Sequence, residues 1–142
     1  MNNGVYGMTG GQMAPTTLLG QKTTSTPGGR EAALHGYPLP ITEMLALLPG
    51  VAYAARGSVV DPGAIGKTKA YLRKACEVQL AGAGFAIVEV ISTCPVGWGM
   101  TPLESIDWLR DTVAKVYPPG VLVDRTKPAP VAPEPAAAGS EG

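Results

Sequence analysis

Residues 2 to 13, Asn2-Asn3-Gly4-Val5-Tyr6-Gly7-Met8-Thr9-Gly10-Gly11-Gln12-Met13, place two side-chain amides directly ahead of a glycine-rich run. Carboxamide and peptide carbonyl oxygens are hard ligands suited to Mg2+, which demands near-octahedral oxygen coordination and usually arrives with phosphates. The glycines let the backbone approach a bound group closely and take positive φ. Backbone N–H groups freed beside them would suit phosphate oxygens. Asn-Gly and Gly-Gly are also everyday turn dipeptides, and composition alone favours that plainer reading. A thiol follows far along the chain in Ser92-Thr93-Cys94-Pro95. With Cys76 as the only other cysteine, no disulfide framework is available. The single histidine, His35, has no second ligand at metal spacing and is given no catalytic role.

The elements that must position these residues read as α/β. Residues 14 to 39, rich in Thr, Gly and Pro and without a period, form a long ordered loop. Loops of that length in a compact domain are usually functional or disordered, and beside the opening run the functional reading is preferred. Lys22 and Arg30 within it read as exposed charges. Residues 41 to 48 form a short helix between Pro40 and Pro49-Gly50. A buried strand at 51 to 56 ends at Gly57.

Asp61 then caps a long helix, Pro62 suits its first position, and Gly82 stops it. Ile65, Leu72, Ala75 and Cys76 recur at helical spacing as its core face, with Lys67, Lys69, Arg73 and Lys74 mostly opposite. Phe85-Ala86-Ile87-Val88-Glu89-Val90-Ile91 is a nearly continuous apolar strand, the pattern of a parallel strand covered on both faces. Strand, helix and strand make a right-handed βαβ unit, and ligands of such sheets bind beyond the carboxyl ends of the strands. Cys94 follows this strand and so falls on the same edge as the Asn-Asn-Gly loop.

Thr101-Pro102-Leu103-Glu104 is a capping box opening a last helix, with Ile106, Leu109, Val113 and Val116 on its apolar face and Trp108 off it. Val121-Leu122-Val123 could add an edge strand. From residue 126 Pro and Ala dominate, which predicts a disordered tail and a domain spanning 1 to 125. Eleven basic and eleven acidic residues leave no net charge, which disfavours a nucleic-acid partner. No apolar run reaches the roughly 20 residues of a membrane span, and no signal peptide is legible, so a cytoplasmic protein is expected.

Asn2 to Gln12, Ala14-Pro15-Thr16-Thr17, Gly20-Gln21-Lys22-Thr23-Thr24, Ser92-Thr93-Cys94-Pro95 and Trp98-Gly99-Met100-Thr101-Pro102 together resemble the beta subunits of 2-oxoacid:ferredoxin oxidoreductases, the 2-oxoglutarate type in particular. Met8 to Met13 also resembles an epitope tag, but it sits inside this longer match. The resemblance implies an incomplete three-layer parallel sheet of the thiamine diphosphate-binding fold. It implies that Asn3 and the Val5 carbonyl hold Mg2+, that Gly7, Met8 and Thr9 touch thiamine diphosphate, and that Cys94 is a candidate ligand of a [4Fe-4S] cluster.

The implied reaction is oxidative decarboxylation of a 2-oxoacid to an acyl-coenzyme A, with electrons passed to ferredoxin. The family's Gly-Asp-Gly segment and its N-terminal cysteines have no counterpart in this sequence. Activity is therefore expected only with an alpha subunit and with another chain supplying the first half of the cofactor site. A non-catalytic assembly subunit and a thiamine diphosphate decarboxylase without electron transfer are the rival readings.

Overall fold

The computed structural model describes residues 1 to 126; the expected tail lies outside the described residues. Three strands form its main sheet in the order β4-β3-β5, where β3 is Val51–Ser58, β4 is Phe85–Ile91 and β5 is Gly120–Asp124. β3 and β4 run parallel, as the βαβ pattern requires. β5 pairs antiparallel to β3 and makes the sheet mixed, which corrects the all-parallel expectation. The sequence marks a strand at this position but not its direction, because direction depends on a long-range connection rather than on local residues.

β3 is buried along its whole length and passes through Gly57 instead of ending there. A Cβ at Gly57 would stand 2.4 Å from the Thr68 hydroxyl oxygen, so the glycine lets the long helix α3, Pro62–Leu80, lie directly on the strand. Thr68 completes that contact by donating to the Ser58 carbonyl and accepting from the Ser58 N–H. α3 is capped by Asp61, whose carboxylate accepts from the Ala64 N–H at 2.8 Å.

The core face of α3 differs from the expected one. Thr68 and Val78 are buried, and Tyr71 and Ala75 pack with Val78 against Ala52, Tyr53 and Ala55 of β3 and Ala86 and Val88 of β4. Ile65, Leu72 and Cys76 stay exposed on the neighbouring flank, so Cys76 is not a core residue. Small side chains on β3 accept a helix face of threonine, tyrosine and alanine, which hydrophobicity alone ranks below the exposed flank.

The short helix α2, Ile41–Ala46, also packs on β3. The last helix begins at the expected capping box as α5, Pro102–Trp108, and passes through a π-helical turn, Leu109–Val113, into α6, Ala114–Val116. The wider turn shifts the helix phase. Leu109, Val113 and Tyr117 are therefore buried with Leu18 and Ile91, while Val116 is exposed. Trp108 packs partly against this cluster.

Burial raises the Tyr117 phenol to about 12, with the nearby Glu89 carboxylate adding to the effect. A raised phenol pKa stabilises the fold below pH 10, and that contribution is lost between about pH 10 and 12. Tyr117→Phe should remove this alkaline phase of unfolding, which is worth on the order of 2 kcal/mol. Denaturant titrations across that pH range would check it, and an unchanged profile would refute it.

Among the described residues no helix is long and apolar enough to cross a membrane.

Candidate functional site

The opening run, expected as a ligand-holding loop, is folded as a small hairpin. Its strands β1, Val5–Tyr6, and β2, Gln12–Met13, pair antiparallel. Its start is fixed to the end of β4, because the Asn2 N–H donates to the Val90 carbonyl at 2.8 Å and the Ser92 N–H donates to the Asn2 carbonyl at 2.9 Å. The Asn2 side-chain oxygen accepts from the Gly4 N–H and the Thr16 hydroxyl, and its amide nitrogen donates to Glu89 at 2.6 Å. These partners orient the Asn2 amide without ambiguity. They also occupy it, so Asn2 organises the turn.

Asn3 points back over the next peptide, its side-chain oxygen accepting from the Val5 N–H at 3.3 Å. Its own carbonyl accepts from the indole N–H of Trp98 at 2.8 Å. Gly4 makes the turn at φ 66°, and its carbonyl accepts from the Thr17 hydroxyl. The Thr16-Thr17 pair therefore holds the turn from one side while the segment after β4 holds it from the other.

That second segment carries Cys94, which precedes the short helix α4, Pro95–Trp98. The Cys94 sulfur lies between two glycines: a Cβ would meet it at 2.9 Å from Gly7 and at 2.8 Å from Gly97. The same Cβ at Gly7 would lie 3.6 Å from the Asn3 side-chain nitrogen. Asn3, Val5, Gly7 and Cys94 thus converge, as expected of groups beyond the carboxyl end of a strand. Met8 and Thr9 sit at the exposed hairpin tip, where the Thr9 hydroxyl donates to Gln12 at 2.7 Å.

Beneath the turn lies a charge network that sequence reading missed. One Glu89 carboxylate oxygen accepts from Asn2; the other accepts from the Thr42 hydroxyl and from Arg56 Nε, both at 2.6 Å. The remaining Arg56 nitrogens reach Glu43 at 2.7 and 2.6 Å, and the guanidinium lies 5.2 Å from the centre of the Tyr117 ring. Burial disfavours the Arg56 charge, but its bonds to Glu43 and Glu89 outweigh that and leave its pKa raised. The Arg56 hydrogen bond holds the Glu43 carboxyl below its usual range. The available signal was a single arginine and a single glutamate inside two strands otherwise free of charge, since buried charges must be paired.

Asn2, Asn3, Gly4, Val5, Thr42 and Glu89 line an open cleft of about 390 Å3 beside β4. As a metal site the donor set is of the right kind but incomplete. Asn3 and Val5 offer neutral oxygens, both Glu89 oxygens are engaged, and no group of three ligating side chains occurs among the described residues. Arg30, expected to be exposed, is instead buried and donates only to backbone carbonyls. His35 Nδ1 accepts from the Glu31 N–H at 3.0 Å.

No protein-family model matches the chain. Among curated proteins, ketoisovalerate oxidoreductase subunit VorA of Methanothermobacter marburgensis is 41% identical over 126 residues, 89% of this chain and 26% of that protein. 2-Oxoglutarate synthase subunit KorB of Archaeoglobus fulgidus is 34% identical over 111 residues, 78% of this chain and 37% of that one. The fold agrees with a solved 2-oxoglutarate:ferredoxin oxidoreductase from Magnetococcus marinus, whose structure holds 2-oxoglutarate, coenzyme A and succinyl-CoA. The TM-score is 0.53 and the identity 27%, over 92% of this chain and 46% of that one.

Most of the chain is homologous to a stretch of the 2-oxoacid:ferredoxin oxidoreductase subunits. It spans between about a quarter and a half of the relatives it matches. The described part of the chain is mixed α/β, with the Asn-Asn-Gly turn and the Cys94 segment side by side beyond β4.

Proposed function

We propose that the chain forms one part of a thiamine diphosphate-dependent 2-oxoacid:ferredoxin oxidoreductase and works only when other polypeptide completes the cofactor site. The reading is supported above all by the Asn2-Asn3-Gly4 turn, built from both sides and meeting the Cys94 segment through the Trp98 bond to the Asn3 carbonyl. The Asn3 side-chain oxygen and the Val5 carbonyl would hold Mg2+, a charged ligand coming from outside this chain. Gly7, Met8 and Thr9 would border the cofactor, the last two after the hairpin tip meets another surface. Thiamine diphosphate, when bound, supplies the carbon nucleophile and the electron sink for loss of CO2 from a 2-oxoacid.

A [4Fe-4S] cluster does not fit within this chain alone. It needs four thiolates, and the sequence holds two cysteines, of which Cys76 lies exposed on α3. Cys94 would supply one thiolate of a cluster shared with another polypeptide. The protein's own contribution is positional: it seats the metal oxygens, excludes side chains at Gly7 and Gly97, and orients the turn.

The test is anaerobic purification of the complex formed with the alpha subunit and the chain carrying the first half of the site. We expect bound thiamine diphosphate and 2-oxoacid-dependent, coenzyme A-dependent reduction of a low-potential acceptor. Asn3→Ala removes a ligand itself and should weaken thiamine diphosphate and Mg2+ binding by more than the roughly ten- to hundredfold that follows loss of a mere orienting partner in a metal site. An assembled complex without thiamine would overturn the catalytic reading in favour of an assembly subunit. Activity with unchanged cluster content in Cys94→Ser would remove Cys94 from the electron path.

A further inference from the structure

The sequence contains two asparagines, Asn2 and Asn3, and both lie in the turn leading into β1. Asn3 precedes Gly4, and a glycine leaves its own nitrogen unshielded because no Cβ stands beside it. The Asn3 carboxamide is folded over that peptide, with Oδ1 accepting from the Val5 N–H at 3.3 Å. A donor so placed polarises the amide carbon and stabilises negative charge arriving on Oδ1 when a nucleophile adds. The Gly4 nitrogen is the nucleophile tethered beside it, and its attack on Asn3 Cγ closes a succinimide ring.

The turn restrains that nucleophile. A planar amide nitrogen attacks only after losing its proton, and ring closure requires the Asn3–Gly4 peptide to tilt toward Cγ. This peptide is held at both of its polar atoms. Its oxygen, on Asn3, accepts from the Trp98 indole at 2.8 Å, and its N–H, on Gly4, donates to Asn2 Oδ1 at 3.0 Å. The next peptide is held in the same way, its oxygen by the Thr17 hydroxyl and its N–H by Asn3 Oδ1.

The Asn2 acceptor is itself fixed. Its Oδ1 also accepts from the Thr16 hydroxyl at 2.7 Å, its amide nitrogen donates to Glu89, and its main chain is bonded to Val90 and Ser92. The clamp on the Asn3–Gly4 peptide therefore draws on the segment after β2, on β4 and on α4, and holds only while all three stay packed.

We propose that Asn3 is a self-modification site kept latent by this clamp. When Asn2 or Trp98 releases the peptide, the Gly4 nitrogen bonds to Asn3 Cγ, the Cγ–Nδ2 bond breaks, and Nδ2 leaves as ammonia with the Gly4 proton. Water then opens the succinimide. Addition at Cγ gives aspartate; addition at the main-chain carbonyl carbon gives isoaspartate, whose backbone runs through the side-chain carbon. Asn3 is half-buried, so water reaches the ring. Aspartate puts a charge at position 3, whereas isoaspartate lengthens the chain inside the turn and pulls Gly4 away from Asn2. The inference needs no cofactor. Under the functional reading above, the altered residue is also the proposed metal ligand, and Asn2 and Trp98 are positioning residues that guard it.

The test incubates the chain at mildly alkaline pH, folded and in urea. Ammonia release and the mass of the peptide carrying Asn3 read the reaction, and methylation by an isoaspartate-specific methyltransferase reads the isoaspartate product. Wild type should react at least about tenfold more slowly folded than in urea, the factor for a clamp worth about 1.4 kcal/mol. Trp98→Phe keeps an aromatic ring and removes the indole N–H. It should speed the folded reaction about fivefold, the loss of one hydrogen bond of about 1 kcal/mol, and leave the rate in urea unchanged. Thr16→Val, which removes a donor from Asn2 Oδ1, should also speed the folded reaction and serves if Trp98→Phe does not fold, with circular dichroism reporting the fold. Asn3→Gln should abolish the reaction at this peptide. Equal rates for folded and urea-unfolded wild type would overturn the clamp, as would folded variants that react no faster than wild type. Ammonia release unaffected by Asn3→Gln would overturn the assignment to Asn3. A complex that binds no thiamine would remove the enzymatic reading and leave these rates, and the inference, standing.

Discussion

Exchange of Arg30 for methionine is expected to loosen the whole segment from Ala14 to Tyr37 and to lower stability by at least about 3 kcal/mol. Arg30 is 5% exposed and donates to six backbone carbonyls, those of Ala14, Pro15, Thr17, His35, Gly36 and Tyr37. A guanidinium has five N–H donors in a planar fork, so one hydrogen is shared and the group is saturated. Methionine would match its length and leave buried acceptors without donors, each a cost of about 1 to 3 kcal/mol when nothing replaces the bond. The Ala14 and Pro15 carbonyls keep a second donor each, the N–H groups of Thr17 and Leu39, and losses within one network do not add, which keeps the expected total near the lower bound.

Lysine offers a point charge with three donors and cannot span the same arc. Arg30→Lys should therefore fall between wild type and methionine. Urea titrations read the ordering, with a lower midpoint at unchanged slope as the signature of lost stability. Proteolysis within residues 14 to 37 should rise in parallel. A methionine variant within about 0.5 kcal/mol of wild type, the range of an ordinary surface change, would show that the segment holds itself without Arg30.

The effect would reach the candidate site, because Thr16 and Thr17 in this segment bind Asn2 and Gly4.

What could be read in advance follows the range of the forces involved. The start of α3 and the Thr101–Glu104 capping box were legible because a cap is local chemistry between residues three apart. The Phe85 to Ile91 strand was legible because a β-branched apolar run has few other folded uses. The Asn-Asn-Gly turn and Cys94 were legible as a motif, and the βαβ pattern put them at one end of the sheet.

The misreadings share a non-local cause. Ile65, Leu72 and Cys76 have the helical spacing of a core face, but periodicity states only that a face wants cover, not that the cover lies within the same chain. Val116 follows the regular helical period, which the π-helical turn breaks, so Tyr117 takes the buried place. The direction of β5 and the six carbonyls around Arg30 depend on chain segments brought together only by folding. The Glu89 network is the extreme case, its members coming from the turn, α2 and two strands.

Replacing Glu89 with glutamine preserves shape while removing the charge on which that network converges. Breaking one side of a buried ion pair typically costs about 3 to 5 kcal/mol because a desolvated charge is left without its partner. Arg56 is fully buried and keeps Glu43, so the lower end, about 3 kcal/mol, is expected. The new amide also meets a conflict. With its oxygen toward Arg56 and Thr42, its nitrogen would face the Asn2 amide nitrogen, donor against donor. Asn2 cannot resolve this by flipping, because its oxygen already accepts from Gly4 and Thr16.

The turn carrying Asn3 should therefore loosen in Glu89→Gln beyond what global stability alone predicts. Its amide protons would exchange faster even where the protein remains folded. Adding Asn2→Asp places an acceptor opposite the glutamine nitrogen. The pair should recover part of the loss, with a coupling of about 0.5 to 3 kcal/mol as for residues in direct contact.

The pH dependence separates this account from a simple loss of packing. The Glu43 carboxyl is held below its usual range by Arg56, so its contribution is present above the ordinary carboxylate pKa and is lost as pH falls through the lowered value. Without Glu89, that titration deprives Arg56 of its last carboxylate, and Glu89→Gln should lose stability on the acid side more steeply than wild type. Parallel acid limbs together with zero coupling to Asn2 would mean that the glutamate merely fills space beneath the turn.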